Sequence, residues 1–195
     1  MGMADDPRVD VDSSADWARW LEANHDDVSG AWAVTHKKDS RGPYVGYDEL
    51  VEEALRFGWV DSRPGKLDDR RTMLGFTPRR PGSGWSRPNK ERIARLEEAG
   101  LMEPAATAAV QSAKEDGSWT ALDDVENLVV PDDLAAAFEA HLGSAEHWEA
   151  FPRSAKRAIL EWIVSAKRPA TREKRIEEAA TLAARGERAN QWSPS

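Results

Sequence analysis

Residues 50–61 read LVEEALRFGWVD and contain the change of pattern that decides the fold. Apolar side chains recur there at the spacing of one helix face as far as Leu55. Gly58 is the type of residue that ends a helix in the left-handed conformation. Residues 59–61, Trp-Val-Asp, then predict a strand. A helix that passes directly into a strand predicts a fold that combines helices with a sheet.

The neighbouring segments extend this pattern in both directions. Before it, the sequence predicts a helix at 14–24 and a strand at 31–36. A second helix is predicted at 47–57, immediately before Gly58. After it, residues 72–77 alternate enough to form a second strand, which pairs with 59–61 or with the first strand. Two more helices follow, from about 86 to 100 and from 104 to 113. We therefore predict a small antiparallel sheet with helices in an N-terminal domain at 13–118.

The pattern becomes wholly helical near the C-terminus. Residues 118–130 look like a connector, and Pro131 starts a helix with acids next to the positive end of its dipole. Helical spacing then continues to Gly186. We predict a helical module at 130–187 and flexible termini at 1–12 and 188–195.

Composition limits the classes of function. The chain contains no cysteine, which excludes disulfides, thiolate metal sites and a cysteine nucleophile, and permits a reducing compartment. The four histidines show no metal-ligand spacing, so we expect no metal and no cofactor. The first residues lack the apolar core of a secretory signal, and no apolar run approaches the ~20 residues of a membrane span. We expect a cytoplasmic protein that does not insert into membranes.

Charge is unevenly distributed. A net charge of −8 makes nucleic acid a less favoured partner, because like-charged polymers repel. Residues 61–95 nevertheless hold ten Lys or Arg against four acids, and residues 153–175 hold eight against two. A charge run is usually a solvated surface, and an anion-binding face is the alternative.

Four strings stand in a fixed order: FGWVD at 57–61, FTPR at 76–79, WSRPN at 85–89 and AKRPATR at 166–172. Together they resemble the YdeI/OmpD-associated family, over roughly residues 16–187. The resemblance implies an α+β N-terminal unit similar to the YjbR/CyaY-like superfamily, followed by the helical module for which the family is named. It also implies a link to bacteriocin protection and envelope stress, without an established reaction.

Two residues of the first basic segment are candidates for a ligand site. Asp61 follows a helix end, where a short carboxylate most often accepts backbone N–H bonds. Arg79 follows Thr-Pro on a stiff segment, which suits a guanidinium that contacts a carboxylate or phosphate in one orientation. Either Asp61 and Arg79 flank a pocket, or Arg79 forms an internal ion pair with Asp61 or Asp68.

The next candidates surround the start of the third predicted helix. Ser86 and Asn89 lie at its N-terminus, where unpaired N–H groups favour an anion, although capping alone would explain either residue. Lys90 adds charge there. Trp85 lies in a loop and is a plausible ligand contact.

The second basic segment contributes Arg168 and Arg172 as further candidates. Arg168 lies at the end of the preceding predicted helix, where a cation suits the negative end of the dipole. Arg172 lies at the beginning of the last predicted helix, where a cation opposes the dipole. An anionic ligand or an acidic partner compensates such charges, or else nearby acids such as Glu177 and Glu178 do so.

We draw three functional hypotheses from these features. The first is a non-enzymatic cytoplasmic stress or bacteriocin-protection factor that binds an anionic small molecule or an acidic protein surface. The second is a nucleic-acid-binding regulator that uses the basic and aromatic loop 76–95. The third is an enzyme of unknown reaction near Asp61 and Arg79, since no complete catalytic constellation is visible. Periodicity also predicts six core residues: Trp20, Trp32, Leu55, Ile93, Phe138 and Trp162.

Overall fold

The computed structural model describes residues 5–191. Within these residues the chain forms four strands and nine helices, which gives the predicted α+β class. Contacts divide the chain into two compact units, one ending at Thr120 and the other beginning at Ala121. Each unit has its own hydrophobic core.

The N-terminal unit combines one sheet with four helices. Its elements in chain order are β1 (Arg8–Asp10), α1 (Ser14–Asn24), β2 (Ala31–His36), α2 (Tyr47–Arg56), β3 (Trp59–Lys66), β4 (Arg71–Pro78), α3 (Arg87–Glu98) and α4 (Pro104–Asp116). The strand order in the sheet is β1-β2-β4-β3. β4 pairs antiparallel with both β2 and β3, and its register with β3 shifts at a bulge between Asp61 and Pro64.

The sheet is mixed and not purely antiparallel as predicted, because β1 pairs parallel with β2. β1 also lies in the segment predicted to be a flexible arm, so that prediction is wrong for residues 8–10. Backbone bonds hold this strand: Trp32 donates its N–H to the carbonyl of Pro7 at 2.8 Å, and Val11 donates to Val34 at 2.9 Å. The two valines of this acidic segment are too few to predict a strand from the sequence. The segment becomes a strand because its backbone pairs with β2.

Gly58 makes the turn from α2 to β3. Its φ of +74° lies in the left-handed region that a side chain disfavours. Space adds a second reason for glycine, because a Cβ at this position would lie 3.2 Å from the carbonyl oxygen of Ala105 in α4. Arg79 donates its backbone N–H to the carbonyl of Gly58 at 2.9 Å. The turn therefore connects α2, the end of β4 and the start of α4.

Aromatic rings form the centre of the N-terminal core. Trp17 of α1 is fully buried, stacks on Trp20 with centroids 5.3 Å apart, and contacts Phe76 of β4. The indole N–H of Trp17 donates to the carbonyl of Leu50 at 3.2 Å, and that of Trp59 donates to His25 at 3.3 Å. These bonds satisfy the only polar atom of each buried ring, so both rings can pack inside the core.

The C-terminal unit is entirely helical in its described part. Its helices are α5 (Asp123–Glu126), α6 (Asp132–Ala140), α7 (Ser144–Ala150), α8 (Arg153–Val164) and α9 (Pro169–Ala183). The predicted connector at 118–130 is therefore partly helical. Apolar residues of α6, α7 and α8 surround a strip of alanines on α9, which lets the helices approach closely.

Four of the six predicted core residues are buried, namely Trp32, Leu55, Ile93 and Phe138. The prediction of full burial is wrong for Trp20 and Trp162, which are half-buried and border the two cores. The Arg175 guanidinium lies 5.1 Å from the Trp162 ring. A period of 3.6 assigns a residue to a helix face, but it does not show how far the neighbouring elements extend over that face.

Trp32→Ala should lower the free energy of unfolding by ~3–5 kcal/mol, because a large buried ring is replaced by a cavity. Trp32 is 5% exposed. Urea denaturation with comparison of midpoints and slopes measures the change. Leu101→Ala in the same unit is the control, since Leu101 is 45% exposed and should change stability by roughly 0.5 kcal/mol or less. Equal effects of the two changes would contradict the burial of Trp32.

Candidate functional site

Arg79 begins the loop that follows β4, and its side chain folds back on that loop. The guanidinium lies 3.7 Å from the centroid of the Trp85 ring. One terminal nitrogen donates to the carbonyls of Ser83, at 3.2 Å, and Gly84. Arg79 therefore holds residues 80–84 in place through carbonyl groups and an aromatic face.

The acids expected to pair with Arg79 have other partners. Asp68 accepts from the Nε–H of Arg71 at 2.9 Å, and Asp61 accepts from the hydroxyl of Tyr47 at 3.0 Å. Arg79 forms no ion pair with any described residue, so the predicted internal ion pair is wrong. Burial lowers the pKa of Arg79 to about 10, against the opposing attraction of Asp61. The guanidinium is thus still charged at neutral pH, and no carboxylate neutralises it.

A cavity of about 150 Å³, partly open to solvent, lies beside Arg79. We call it the Arg79 cavity; its walls are the loop residues Arg80–Ser83, Trp85, Ser118, and Ala109, Ser112, Ala113 and Asp116 of α4. Two buried side-chain atoms lack a hydrogen-bond partner in the described part of the chain, Arg79 Nε and Ser118 Oγ. Both belong to residues that line this cavity. Unsatisfied buried polar groups are rare in folded proteins, and a bound ligand is one explanation.

Asp116 stands at the end of α4 and supports the loop from the opposite side. Its carboxylate accepts the N–H of Gly82 at 3.1 Å and that of Ser118 at 2.8 Å. The Ser118 hydroxyl beside the carboxylate is the main cause that holds the pKa of Asp116 below its usual range, and the two backbone N–H groups add to its effect. The hydroxyl does not reach hydrogen-bonding geometry, however, and stays without a partner.

Trp85 extends the site toward a second tryptophan. Its ring is buried, and its centroid lies 5.0 Å from that of Trp119 at an angle of 48°. The ammonium groups of Lys90 and Lys114 lie 5.5 Å and 5.3 Å from the Trp119 ring. We call these residues and Arg79 the cationic–aromatic cluster. Each cation over a ring face contributes about 0.5–2 kcal/mol, depending on its exposure.

Ser86 and Asn89 lie at the start of α3, as predicted. Ser86 is the N-cap, but its side chain makes no capping bond. Asn89 is buried, and its Oδ1 accepts from Arg92 at 2.9 Å. Arg92 also pairs with Asp48 of α2. The structure therefore uses Asn89 to orient an arginine that the sequence did not single out.

Arg168 and Arg172 belong to the C-terminal unit. Arg168 is the exposed N-cap of α9. Arg172 forms two bonds with Asp133 of α6, at 2.6 Å and 2.9 Å. The bonds from Arg172 hold the pKa of Asp133 below its usual range. The acid that compensates the start of α9 is thus Asp133, and not Glu177 or Glu178.

The described residues show two further features that bear on function. No group of three or more His, Asp or Glu side chains in residues 5–191 is arranged to hold a metal ion. None of the helices in that range has both the length and the apolar character to cross a membrane.

Sequence reasoning found Arg79, Trp85 and Lys90 but missed Asp116 and Ser118. These two residues follow the alanine-rich part of α4, where the DG step signals only a helix end. Gly117 has a φ of +80°, and this left-handed turn directly follows Asp116, whose carboxylate accepts the N–H of Gly82 in the 80–84 loop. Such a contact, between residues more than thirty positions apart, leaves no local pattern.

Comparison with known protein families gives two matches, one in each of the two compact units. Residues 9–109 match the family model described as Domain of unknown function (DUF8412). Residues 127–186 match the model described as Bacteriocin-protection, YdeI or OmpD-Associated (OmdA). No curated protein and no solved structure matches the chain. The predicted resemblance is thus confirmed for the helical module, whereas the proposed relation of the N-terminal unit to the YjbR/CyaY-like superfamily finds no support.

The contact of Asp61 with Tyr47 leads to a prediction about pH. Tyr47 is 51% exposed; its partial burial, together with the charge and hydrogen bond of Asp61, raises the pKa of Tyr47 to about 12, above an ordinary value of about 10. Between these values the unfolded chain releases this proton first, so stability should fall as pH rises through that window. Asp61→Asn removes the charge but not the burial and should lower the pKa of Tyr47.

Absorbance of tyrosinate during a pH titration measures this change, and Tyr47→Phe identifies which of the two tyrosines gives the signal. An unchanged titration of Tyr47 in Asp61→Asn would contradict the contact.

Proposed function

Since the chain belongs to the DUF8412 family and its C-terminal part matches the bacteriocin-protection model, we propose that it is a non-enzymatic bacteriocin-protection factor that binds an anionic ligand in the Arg79 cavity. The observation that carries this proposal is the half-buried guanidinium of Arg79, which forms no ion pair and whose buried Nε–H has no hydrogen-bond partner in the described chain. The link to bacteriocin protection rests on the C-terminal match. The ligand chemistry rests on the N-terminal unit.

The energetics of Arg79 favour an anion. Removing a charge from water is costly unless a counter-charge and hydrogen bonds replace the solvent. Two carbonyls and the Trp85 ring supply part of this replacement. The unpartnered Nε–H would donate a charge-assisted hydrogen bond to an anionic oxygen, which is stronger than a bond between neutral groups. Ser118 Oγ offers a second donor in the same cavity.

Positive charge outside the cavity supports the same ligand class. Arg80 is exposed and lines the cavity, while Lys90 and Lys114 lie over Trp119. Cations in this part of the unit attract an anion and raise its local concentration even on a protein of net charge −8. Lysine and arginine side chains in these positions can bind an anion and neutralise its charge. We therefore propose that the site binds its ligand without catalysing a reaction.

The two alternative functions gain less support from the geometry. A nucleic-acid site in loop 76–95 would need exposed rings on which bases stack, but Trp85 is 2% exposed beneath Arg79. An enzyme site near Asp61 and Arg79 would need the two to act together, but the hydroxyl of Tyr47 binds the Asp61 carboxylate.

The proposal includes a cytoplasmic location, consistent with a chain that has no cysteine. It assigns Arg168 a secondary role as an exposed contact for an acidic partner surface. Arg172 is not part of the proposed contact, because Asp133 already occupies its guanidinium.

Titration with propionate tests the proposed ligand class. In a buffer without other carboxylates or phosphate, propionate should shift the NMR signals of Arg79 Nε–H and the Ser118 amide. Arg79→Gln should weaken binding by roughly ten-fold or more, because a charge-assisted bond is lost. Arg41→Gln is the matched control, since Arg41 is exposed and forms no ion pair within the described chain. Equal binding by wild type and Arg79→Gln, with both variants folded, would refute the anion site.

The cellular part of the proposal has a separate test. A strain that depends on this chain for survival under a bacteriocin should lose protection when it carries Arg79→Gln at equal protein level. Arg41→Gln should protect as wild type does. Full protection by Arg79→Gln would mean that bacteriocin protection does not use the cavity.

A further inference from the structure

The Arg79 cavity contains a negative group, Asp116, in addition to the positive guanidinium of Arg79. The Asp116 carboxylate accepts two backbone N–H groups but forms no ion pair with any described residue. The aspartate is exposed and therefore charged at neutral pH. The cavity thus presents one guanidinium and one carboxylate, each without an oppositely charged side chain within bonding distance.

The two groups are attached to the same short loop. Arg79 donates to the carbonyls of Ser83 and Gly84, and Asp116 accepts the N–H of Gly82. Three successive residues thus connect the cation to the anion. Yet the two side chains do not bond to each other, and the cavity borders both.

We propose that the cavity binds a small zwitterion, an α-amino acid, with its carboxylate on Arg79 and its ammonium group on Asp116. This inference rests on the proposed function, because it identifies the anion of that proposal as the carboxylate of an amino acid. The Nε–H of Arg79 and the hydroxyl of Ser118 donate to the ligand carboxylate. Asp116 accepts from the ligand ammonium group through lone pairs that the two N–H groups leave free.

Charge argues against phosphate as the ligand. A phosphate ion beside Asp116 would add two like charges at short range, which disfavours binding. A simple carboxylate also meets this repulsion, to a smaller degree. An amino acid changes the contribution of Asp116 from repulsion to attraction while it keeps the contact with Arg79.

Size limits which amino acid fits. The cavity is small, with a volume of about 150 Å³, and it is partly open to solvent. It therefore suits a small amino acid such as glycine or alanine and excludes a bulky one from its enclosed part. The indole of Trp85 and the methyl groups of Ala109 and Ala113 supply an apolar wall, which suits a methyl side chain.

L-Alanine and two compounds that each lack one of its charged groups test the inference. L-Alanine carries both charged groups, propionate only the carboxylate, and ethylamine only the ammonium group. NMR titrations of the full chain should show that alanine binds about ten-fold tighter than propionate, and that ethylamine binds weaker than alanine. The signals that shift should be those of Arg79 Nε–H, Gly82 and Ser118.

Asp116→Asn should remove the advantage of alanine, because the site loses its partner for the ammonium group. The same variant should bind propionate at least as well as wild type, since a repulsive charge is gone, and this binding shows that the cavity is intact. Asp39→Asn, at an exposed acid elsewhere in the unit, is the matched control and should leave the preference for alanine unchanged.

The outcomes distinguish the two proposals. Equal binding of alanine and propionate, both dependent on Arg79, would overturn the zwitterion inference and leave the anion site standing. An alanine advantage that persists in Asp116→Asn would overturn the role of Asp116. Failure of all three ligands to shift the cavity signals would overturn both proposals.

Discussion

The left-handed turn at Gly58 is the constraint on which the N-terminal unit depends. It ends α2 and begins β3 without an intervening loop, and it brings the backbone against Ala105 at the start of α4. The carbonyl of the same glycine accepts the N–H of Arg79. One backbone conformation therefore determines where the helix layer, the sheet and the site-bearing loop meet. A side chain at this position would be strained by its φ and would press on the backbone at the start of α4.

Arg79 illustrates how a structural contact and a binding contact can use one side chain. Its terminal nitrogen and its face hold the 80–84 loop and Trp85, so the guanidinium is oriented before any ligand arrives. A donor held in one orientation loses little conformational entropy on binding. The unpartnered Nε–H is the part of the group that the fold does not use. In this arrangement the cost of burying a charge is offset partly by the fold and partly by the ligand.

The sequence predicted those elements whose pattern is local. α1 and β2 have the bounds that periodicity indicated, and α2 ends within one residue of its predicted end. β1 was missed because its partner strand specifies it. At the candidate site, the stiff Thr-Pro-Arg segment drew attention to Arg79, but charge matching suggested carboxylate partners where the structure has carbonyls and an indole. Asp116 and Ser118 reach the cavity only through the tertiary packing of α4, so no spacing in the sequence could indicate them. Arg172 was recognised as a cation in need of an acid, but its partner, Asp133, lies in another helix.

The bulge in β3 also influences how the protein behaves in a crowded solution. β3 is an outer strand of the sheet, and the register shift between Asp61 and Pro64 interrupts its ladder. Pro64 has no N–H to offer to a further strand, and Arg63 and Lys66 add exposed positive charge. A regular, uncharged strand at this edge would be a template for the strands of other molecules and a starting point for aggregation. The irregularity, the proline and the charges therefore disfavour the pairing of this edge with a strand of another molecule.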